Sequence, residues 1–309
     1  MDDRQISAGA DARLLNYGSL NLDYVYRVER FVRPGETIHA LSQSVNYGGK
    51  GLNQSIAAAR AGARICHAGC IGTGGEMLLA ELAANGIDTS LTRHADAPQG
   101  SAMIQVDTRG ENCIIVAGGS NKCLTREQIH EDIGLFGPGD FLLLQNEVNG
   151  LQWLLAEAKA RGLRVLFNPS PFDEGILDLD LSPVEWLVAN RTETEAFTGE
   201  SDPARAYAAL HRKYPEMKLL MTLGRDGAWG FDGRKAHFQK AFDTVPVDTT
   251  AAGDTFTGFF AASLARGRSL EKAMLFGAMA AAISVTRNGA APSIPSLAEV
   301  EERLNSAKS

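Results

Sequence analysis

The 309-residue chain has no run of about 18 uninterrupted apolar residues, so no membrane-spanning helix of ordinary length is expected. Cysteine is scarce: Cys66, Cys70, Cys113 and Cys123 are too few and too irregularly spaced for a disulfide framework, which points to a reducing compartment. The run from Cys66 through His67 to Cys70 lacks a second ligand pair and reads as a strand entering a turn rather than a metal clip. There is no basic excess. Lys and Arg number 30 against 37 Asp and Glu, a formal charge of -7, so neither nucleic acid nor an anionic membrane surface is an expected partner. Residues 1–13 are polar and lack the apolar core of a secretory signal, and they are expected to form a flexible leader on a cytoplasmic protein. Gly48-Gly49-Lys50-Gly51 lacks the hydroxyl residue that completes a nucleotide P-loop, and Gly72-Thr73-Gly74-Gly75 lacks the third glycine of a dinucleotide fingerprint.

What is present is a globular composition, 44% hydrophobic and 22% charged, with ample sequence for a core. Short β-rich runs at 14–20, 64–69, 141–145, 165–168, 186–189 and 219–223 alternate with helical spacing at 54–61, 77–85, 150–160 and 203–214. That alternation predicts an α/β fold of three layers, a doubly wound and mostly parallel sheet between helices. Two stretches, about 24–44 and 89–116, break the rhythm with alternating segments and Gly-containing turns. They predict a small β-sheet lid beside the main sheet. With no linker, repeat or low-complexity tract, residues 14–309 read as one domain that includes the lid.

Three motifs carry chemistry. In Asp248-Thr249-Thr250-Ala251-Ala252-Gly253-Asp254-Thr255-Phe256-Thr257-Gly258, small residues precede an apolar helix over 255–265. Free N–H groups and the positive dipole end at such a helix start suit a phosphoryl group, and a carboxylate there, Asp254, can accept a proton from an alcohol. The plainer alternative makes Asp254 a helix N-cap. In Asn46-Tyr47-Gly48-Gly49-Lys50-Gly51-Leu52-Asn53-Gln54, glycines bring backbone close to a ligand, and Lys50 and Asn53 add donors for hydroxyl oxygens. Upstream, Asn21 and Asp23 are expected at the end of the first strand. Two apart, they share a face and can grip vicinal hydroxyls.

Together with Pro34-Gly35-Glu36-Thr37, Gly110-Glu111-Asn112, Asn190-Arg191-Thr192-Glu193, Thr222-Leu223-Gly224 and Thr286-Arg287-Asn288-Gly289-Ala290-Ala291-Pro292-Ser293, these motifs resemble the ribokinase (PfkB) family of carbohydrate kinases over nearly the whole chain after the leader. The Gly-Gly-Lys-Gly form resembles the ribose-phosphorylating members more than fructokinases or ketodeoxygluconate kinases, which usually carry another residue in place of the lysine. The resemblance implies a ribokinase-like fold and ATP-dependent phosphorylation of a sugar primary hydroxyl, D-ribose to D-ribose 5-phosphate. The alternatives are another pentose, a ketohexose or a nucleoside as acceptor, or a sugar-binding protein without turnover.

By the same resemblance Asp254 is the general base and Ala251, Ala252 and Gly253 frame the anion hole. Asn21, Asp23, Gly49, Lys50, Asn53 and Glu147 are implied sugar contacts. Asn190, Thr222, Gly224, Asp226 and Gly227, with Ala252 and Gly253, are implied nucleotide contacts. Glu193 is implied to order water around magnesium, a plain first-turn glutamate being the alternative. Asp248, Thr250, Ser284, Arg287, Gly289 and Ser293 match the family's potassium positions, an oxygen set suited to a weakly hydrated cation. The family further implies a homodimer through the lid sheet, whose edge would otherwise expose apolar strands. Two segments depart from the family pattern: 72–77 is short and lacks an acidic pair, and the surroundings of Glu147 in Gln145-Asn146-Glu147-Val148 differ.

Overall fold

The computed structural model describes residues 12–307. Residues 1–11 of the expected leader lie outside the described residues, whereas Ala12 and Arg13 are tied to the body: the Ala12 N–H donates to the Ala265 carbonyl, and Arg13 pairs with Asp140.

The chain winds a nine-stranded sheet in the order β13-β12-β11-β10-β9-β8-β1-β4-β5. Within it β1 (Leu14–Tyr17) is flanked by β4 (Ile65–Thr73) and β5 (Asp88–Pro98) on one side. On the other lie β8 (Phe141–Gln145), β9 (Arg164–Asn168), β10 (Val184–Asn190) and β11 (Lys218–Thr222). These strands are parallel, and β12 (Ala228–Phe231) and β13 (Ala236–Gln239) add an antiparallel edge. Because both faces are covered, the central strands are apolar on both sides. Leu14, Phe141 and Leu143 pack with α1 (Lys50–Arg60), α2 (Glu76–Ala84), α7 (Ala252–Ala265), α8 (Leu270–Ser284) and α9 (Leu297–Ser306). Leu15, Leu142 and Leu144 face the opposite way, towards α3 (Arg126–Ile133), α4 (Leu151–Arg161) and α6 (Pro203–Lys213). A further helix, α5 (Arg191–Thr198), follows β10. The fold is the expected three-layer doubly wound α/β architecture.

A separate sheet in the order β3-β2-β6-β7 forms the lid, from β2 (Asn21–Arg27), β3 (Ser42–Gly48), β6 (Ser101–Val106) and β7 (Asn112–Ala117). Three expectations need correction. Asn21 and Asp23 do not end the first strand: β1 stops at Tyr17, and after the buried turn at Gly18–Leu20 both residues open β2. Residues 89–98 are not lid, because β5 pairs in parallel with β4 at the edge of the main sheet; its alternation reflects one covered and one open face. The lid run 24–44 is strand only at its ends, with residues 28–41 forming a loop.

Candidate active site

The parallel strands of such a sheet end on one side, and their carboxyl ends open a crevice where ligands bind. Here Ser19 follows β1, Glu147 follows β8, and Asn168, Asn190 and Thr222 end β9, β10 and β11. Two helices complete the crevice. α7 begins at Ala252, three residues earlier than its apolar run suggests, so Asp254 is the third helical residue and not the N-cap. The N-cap is Ala251, a non-glycine residue at φ 58 with no side chain to cap. Among the described residues nothing accepts from the Gly253 and Asp254 N–H groups, whereas Thr255 N–H reaches the Ala251 carbonyl. The implied anion hole thus falls on bare backbone at the positive end of α7.

Asp254 is buried and its carboxylate is held from α1: Oδ1 accepts from Gln54 Nε2 at 2.9 Å and Oδ2 from Asn53 Nδ2 at 3.1 Å. Lys50 Nζ lies 3.9 Å from Oδ1, and the Asp254 charge, against the opposing effect of burial, raises the lysine pKa. Close approach of the two helices makes this possible. A Cβ on Gly258 would lie 2.4 Å from Ala57 Cβ and 2.7 Å from the Gln54 carbonyl, so only glycine lets α7 settle on α1. Asn53 Oδ1 is buried with no hydrogen-bond partner, an acceptor left for a ligand hydroxyl.

The implied sugar contacts converge on this end of α1. Asn21 pairs with Gly48 across β2 and β3, and Asp23 lies over Gly48 so closely that a Cβ there would meet its carboxylate. Burial, and then the neighbouring Glu147 charge, push the Asp23 carboxyl up to about 7. Glu147 Oε2 accepts from Ser19 Oγ and, at 2.9 Å, from Lys50 N–H, so this glutamate also caps the first turn of α1. Sequence reading missed the residues that hold Asn21: Asn121 Nδ2 donates to Asn21 Oδ1 at 2.7 Å, and Gln99 ties the Leu20 carbonyl to the Gly72 N–H. The shortened 72–77 segment thereby braces the turn that leads into the implied sugar contacts.

A cavity of about 160 Å³ joins Lys50, Asp254 and Gly253 to Asn190, Glu193 and Thr222. Asn190 and Glu193 form a reciprocal cap on α5: Glu193 N–H donates to Asn190 Oδ1 at 2.9 Å, and Glu193 Oε2 accepts from Asn190 N–H at 3.0 Å. Gly224, Asp226 and Gly227 form the turn after β11, outside the walls of this cavity; Gly227 packs against Gln239–Ala241. The strap after β13 leads to a second cavity of about 260 Å³, lined by Phe242, Thr244, Met279, Ile283 and Arg303, which sequence reading did not foresee.

Of the cation positions, Asp248, Thr250 and Gly289 meet. Asp248 Oδ1 accepts from Thr250 N–H (2.9 Å) and Oγ1 (2.6 Å), and Oδ2 from Gly289 N–H (2.9 Å). Burial raises the Asp248 pKa, but these bonds outweigh it and hold the carboxyl below its ordinary value. Ser284 and Ser293 turn their hydroxyls onto Ala281 and Ala290 carbonyls, and the Arg287 guanidinium pairs with Glu299. The carbonyls of Thr250, Arg287 and Gly289 accept no hydrogen bond among the described residues, which fits a cation better than the serine side chains do.

The model of the pfkB family carbohydrate kinases matches residues 11–297. The chain is 37% identical over 300 residues to ribokinase of Haemophilus influenzae, covering 94% of this chain and 97% of that protein. It superposes on Thermotoga maritima ribokinase with a TM-score of 0.85 at 33% identity, covering 95% of this chain and 99% of that one. For Arabidopsis thaliana ribokinase complexed with ribose and ATP the TM-score is 0.83 at 29% identity, with coverage of 95% and 98%. A match over nearly the full length, on a crevice built as described, makes the chain a member of the PfkB family of carbohydrate kinases.

Proposed function

We propose that the protein transfers the γ-phosphoryl group of ATP to the primary hydroxyl of D-ribose, giving D-ribose 5-phosphate and ADP. The carrying observation is Asp254, a buried carboxylate that takes donors from Gln54 and Asn53 and sits beside the free amides of the α7 start. Asn21, Asp23, Gly49, Lys50, Asn53 and Glu147 hold the sugar with that hydroxyl against Asp254. The hydroxyl proton passes to Asp254 as the oxygen attacks the γ-phosphorus in line; the bond to the bridging oxygen breaks and ADP leaves. The Gly253 and Asp254 amides and the Lys50 ammonium meet the charge that develops on the phosphoryl oxygens. The Arabidopsis relative, solved with ribose and ATP, supports both substrates.

Asn190, Thr222, Gly224, Asp226 and Gly227 line the path of the nucleotide from the anion hole, with the strap after Gln239 and its cavity, where Phe242, Met279 and Ile283 supply apolar surface, receiving the base. Glu193 would hold magnesium through water, since its cap to Asn190 engages only Oε2. Magnesium, when bound, neutralises phosphate charge. Asp248, Thr250, Ser284, Arg287, Gly289 and Ser293 would hold potassium, stiffening the loop that leads into the anion hole. The outer lid strand β7 presents Ile115 and Val116 at 64% and 60% exposure on an unpaired edge, which suits a homodimer joined through the lid. Four free cysteines suit a cytoplasmic setting.

Coupled ADP release should be measured over ribose, 2-deoxyribose, fructose and adenosine, for the unmodified protein and for Asp254→Asn. Ribose should give the highest kcat/KM, and Asp254→Asn should lose about 100- to 10,000-fold in kcat with its fold intact. Preference for another acceptor would overturn the choice of ribose; near-normal kcat in Asp254→Asn would overturn the base.

A further inference from the structure

A row of buried amides runs beneath Asp254 into the sheet. Gln54 gives one N–H to Asp254 Oδ1 at 2.9 Å and the other to Asn168 Oδ1 at 3.1 Å. Its own Oε1 accepts from Gln145 Nε2 at 2.8 Å, and Gln145 gives its second N–H to Asn16 Oδ1 at 3.0 Å. Asn16 in turn donates to the Gly51 carbonyl at 2.8 Å and to Ser55 Oγ at 2.7 Å. Asn16 and Gln54 are 0% exposed and Gln145 1%, so no water substitutes for a lost partner.

An amide side chain donates at one end and accepts at the other, and turning it over changes its shape little. Both ends of the row fix its direction: the Gly51 carbonyl can only accept, and Asn168, whose Nδ2 donates to the Val188 carbonyl at 2.8 Å, turns its oxygen to Gln54. Asn16 must turn its NH2 there and its oxygen to Gln145. Gln145 must then donate to Gln54, and Gln54, its oxygen taken, must donate to Asp254. A second observation shows that direction overriding local satisfaction: Gln145 Oε1 is buried with no partner, against Gly18. Leaving an acceptor unpaired is costly, so an amide free to turn would find a better arrangement.

We propose that Asn16 and Gln145 are positioning residues for the phosphoryl-transfer step, anchoring the Gln54 oxygen from below so that its two N–H groups stay aimed at Asp254 and Asn168. The role rests on the reading of Asp254 as the base. Neither residue reaches the cavity lining. Their effect is to keep the carboxylate oriented and its acceptor character matched before substrate arrives.

The test compares Asn16→Leu and Gln145→Met with Ser55→Ala. Ser55 accepts from Asn16 and contacts His67 Nδ1 at 2.8 Å, but the Gly51 carbonyl alone suffices to orient Asn16. Gln145→Met removes the donor to Gln54 Oε1, and Asn16→Leu removes the acceptor that aims Gln145 at it, so Gln54 loses the anchor that holds its N–H on Asp254. Both substitutions should lower kcat with ribose and ATP about 10- to 100-fold, keep the ribose KM within about twofold, and move the acidic limb of the kcat profile to higher pH. The charged groups around Asp254 stay the same in all three: Lys50 on α1 at 3.9 Å, and Glu147 and Glu193, which act on Lys50. Ser55→Ala should lower Tm yet leave kcat and the pH limb in place. Gln145→Met carries the test where Asn16→Leu does not fold. Wild-type kcat and pH limb in Asn16→Leu and Gln145→Met, or kcat losses that follow Tm equally in all three proteins, would overturn the proposal. Abolished turnover in Asp254→Asn alongside either result locates the failure in the amide row; retained turnover in Asp254→Asn removes the base and the role of the row with it.

Discussion

Lowering the pH should weaken sugar binding through Asp23. This carboxyl is pushed from 3.8 to about 7, first by burial and then by Glu147. A sugar hydroxyl donates its hydrogen to the ionised form, so a proton on Asp23 competes with the sugar. Below about pH 7 the neutral form prevails in the free protein and the competition is felt; above about pH 8 it vanishes. Each further pH unit below 7 should therefore raise the ribose dissociation constant roughly tenfold. The sign for stability is the reverse. A carboxyl whose folded pKa is raised contributes stability that is fully present below pH 3.8 and is lost as pH rises through about 7, so the sugar-free fold weakens over the range in which sugar binding strengthens. Calorimetric titration of ribose between pH 5.5 and 8.5, in buffers of different ionisation enthalpy, should show proton release on binding near pH 6. Asp23→Asn should flatten the profile, and Glu147→Gln should move it to lower pH. A ribose affinity constant across pH 6 to 8, or a slope that survives in Asp23→Asn, would refute the reasoning.

Gly258→Ala should cost about 1–3 kcal/mol in urea unfolding, because its Cβ must displace Ala57 or the Gln54 backbone; an unchanged midpoint would contradict the packing. Ile115→Lys on the exposed lid edge should shift the molar mass by light scattering from dimer to monomer, and a dimer retained in that variant would place the interface elsewhere. Rates at fixed magnesium and ionic strength should be several-fold higher in potassium than in sodium or tetramethylammonium. Asp248→Ala should abolish the difference, and equal rates in all three salts would remove the cation site from function.

The legible part of the site was written in local sequence. Ala251-Ala252-Gly253 announces bare backbone at a helix start whatever it packs against, and the structure places Asp254 beside it. Strand ends were harder to read. Gly18, Ser19 and Leu20 are as buried as β1 itself, so hydrophobicity does not mark where β1 stops and β2 begins. Likewise, residues 89–98 alternate as a lid strand would, and only their register against β4 assigns them to the main sheet. The amide row was invisible because its members are joined across as many as 129 positions. A signal existed nonetheless: Asn16 among Leu14, Leu15 and Tyr17, and Gln145 after Leu142–Leu144, are polar residues in strands otherwise apolar on both faces. Burying an amide there is unfavourable unless a partner waits.

These pieces share α1 as their common reference. Its first turn is fixed by Glu147 and Ser19 and carries Lys50, Asn53 and Gln54 towards Asp254 and the proposed sugar site. Its middle is clasped by α7 at Gly258. Its last turn sends Arg60 to the Ala291 and Ile294 carbonyls, at 3.0 and 2.6 Å, in the loop that holds Gly289 and Ser293. Eleven residues of helix span about 15 Å, so the proposed sugar contacts, base and cation loop are gauged against one short rod. A rod packed along its length does not bend to accommodate a ligand. The lid strands join the core at four junctions, at Gly18–Leu20, at Gly48 and Gly49, between Pro98 and Ser101, and between Ala117 and Gly119. The amide row lies on the core side of all four junctions, so the proposed base is held from the core and the proposed sugar contacts of β2 from the lid.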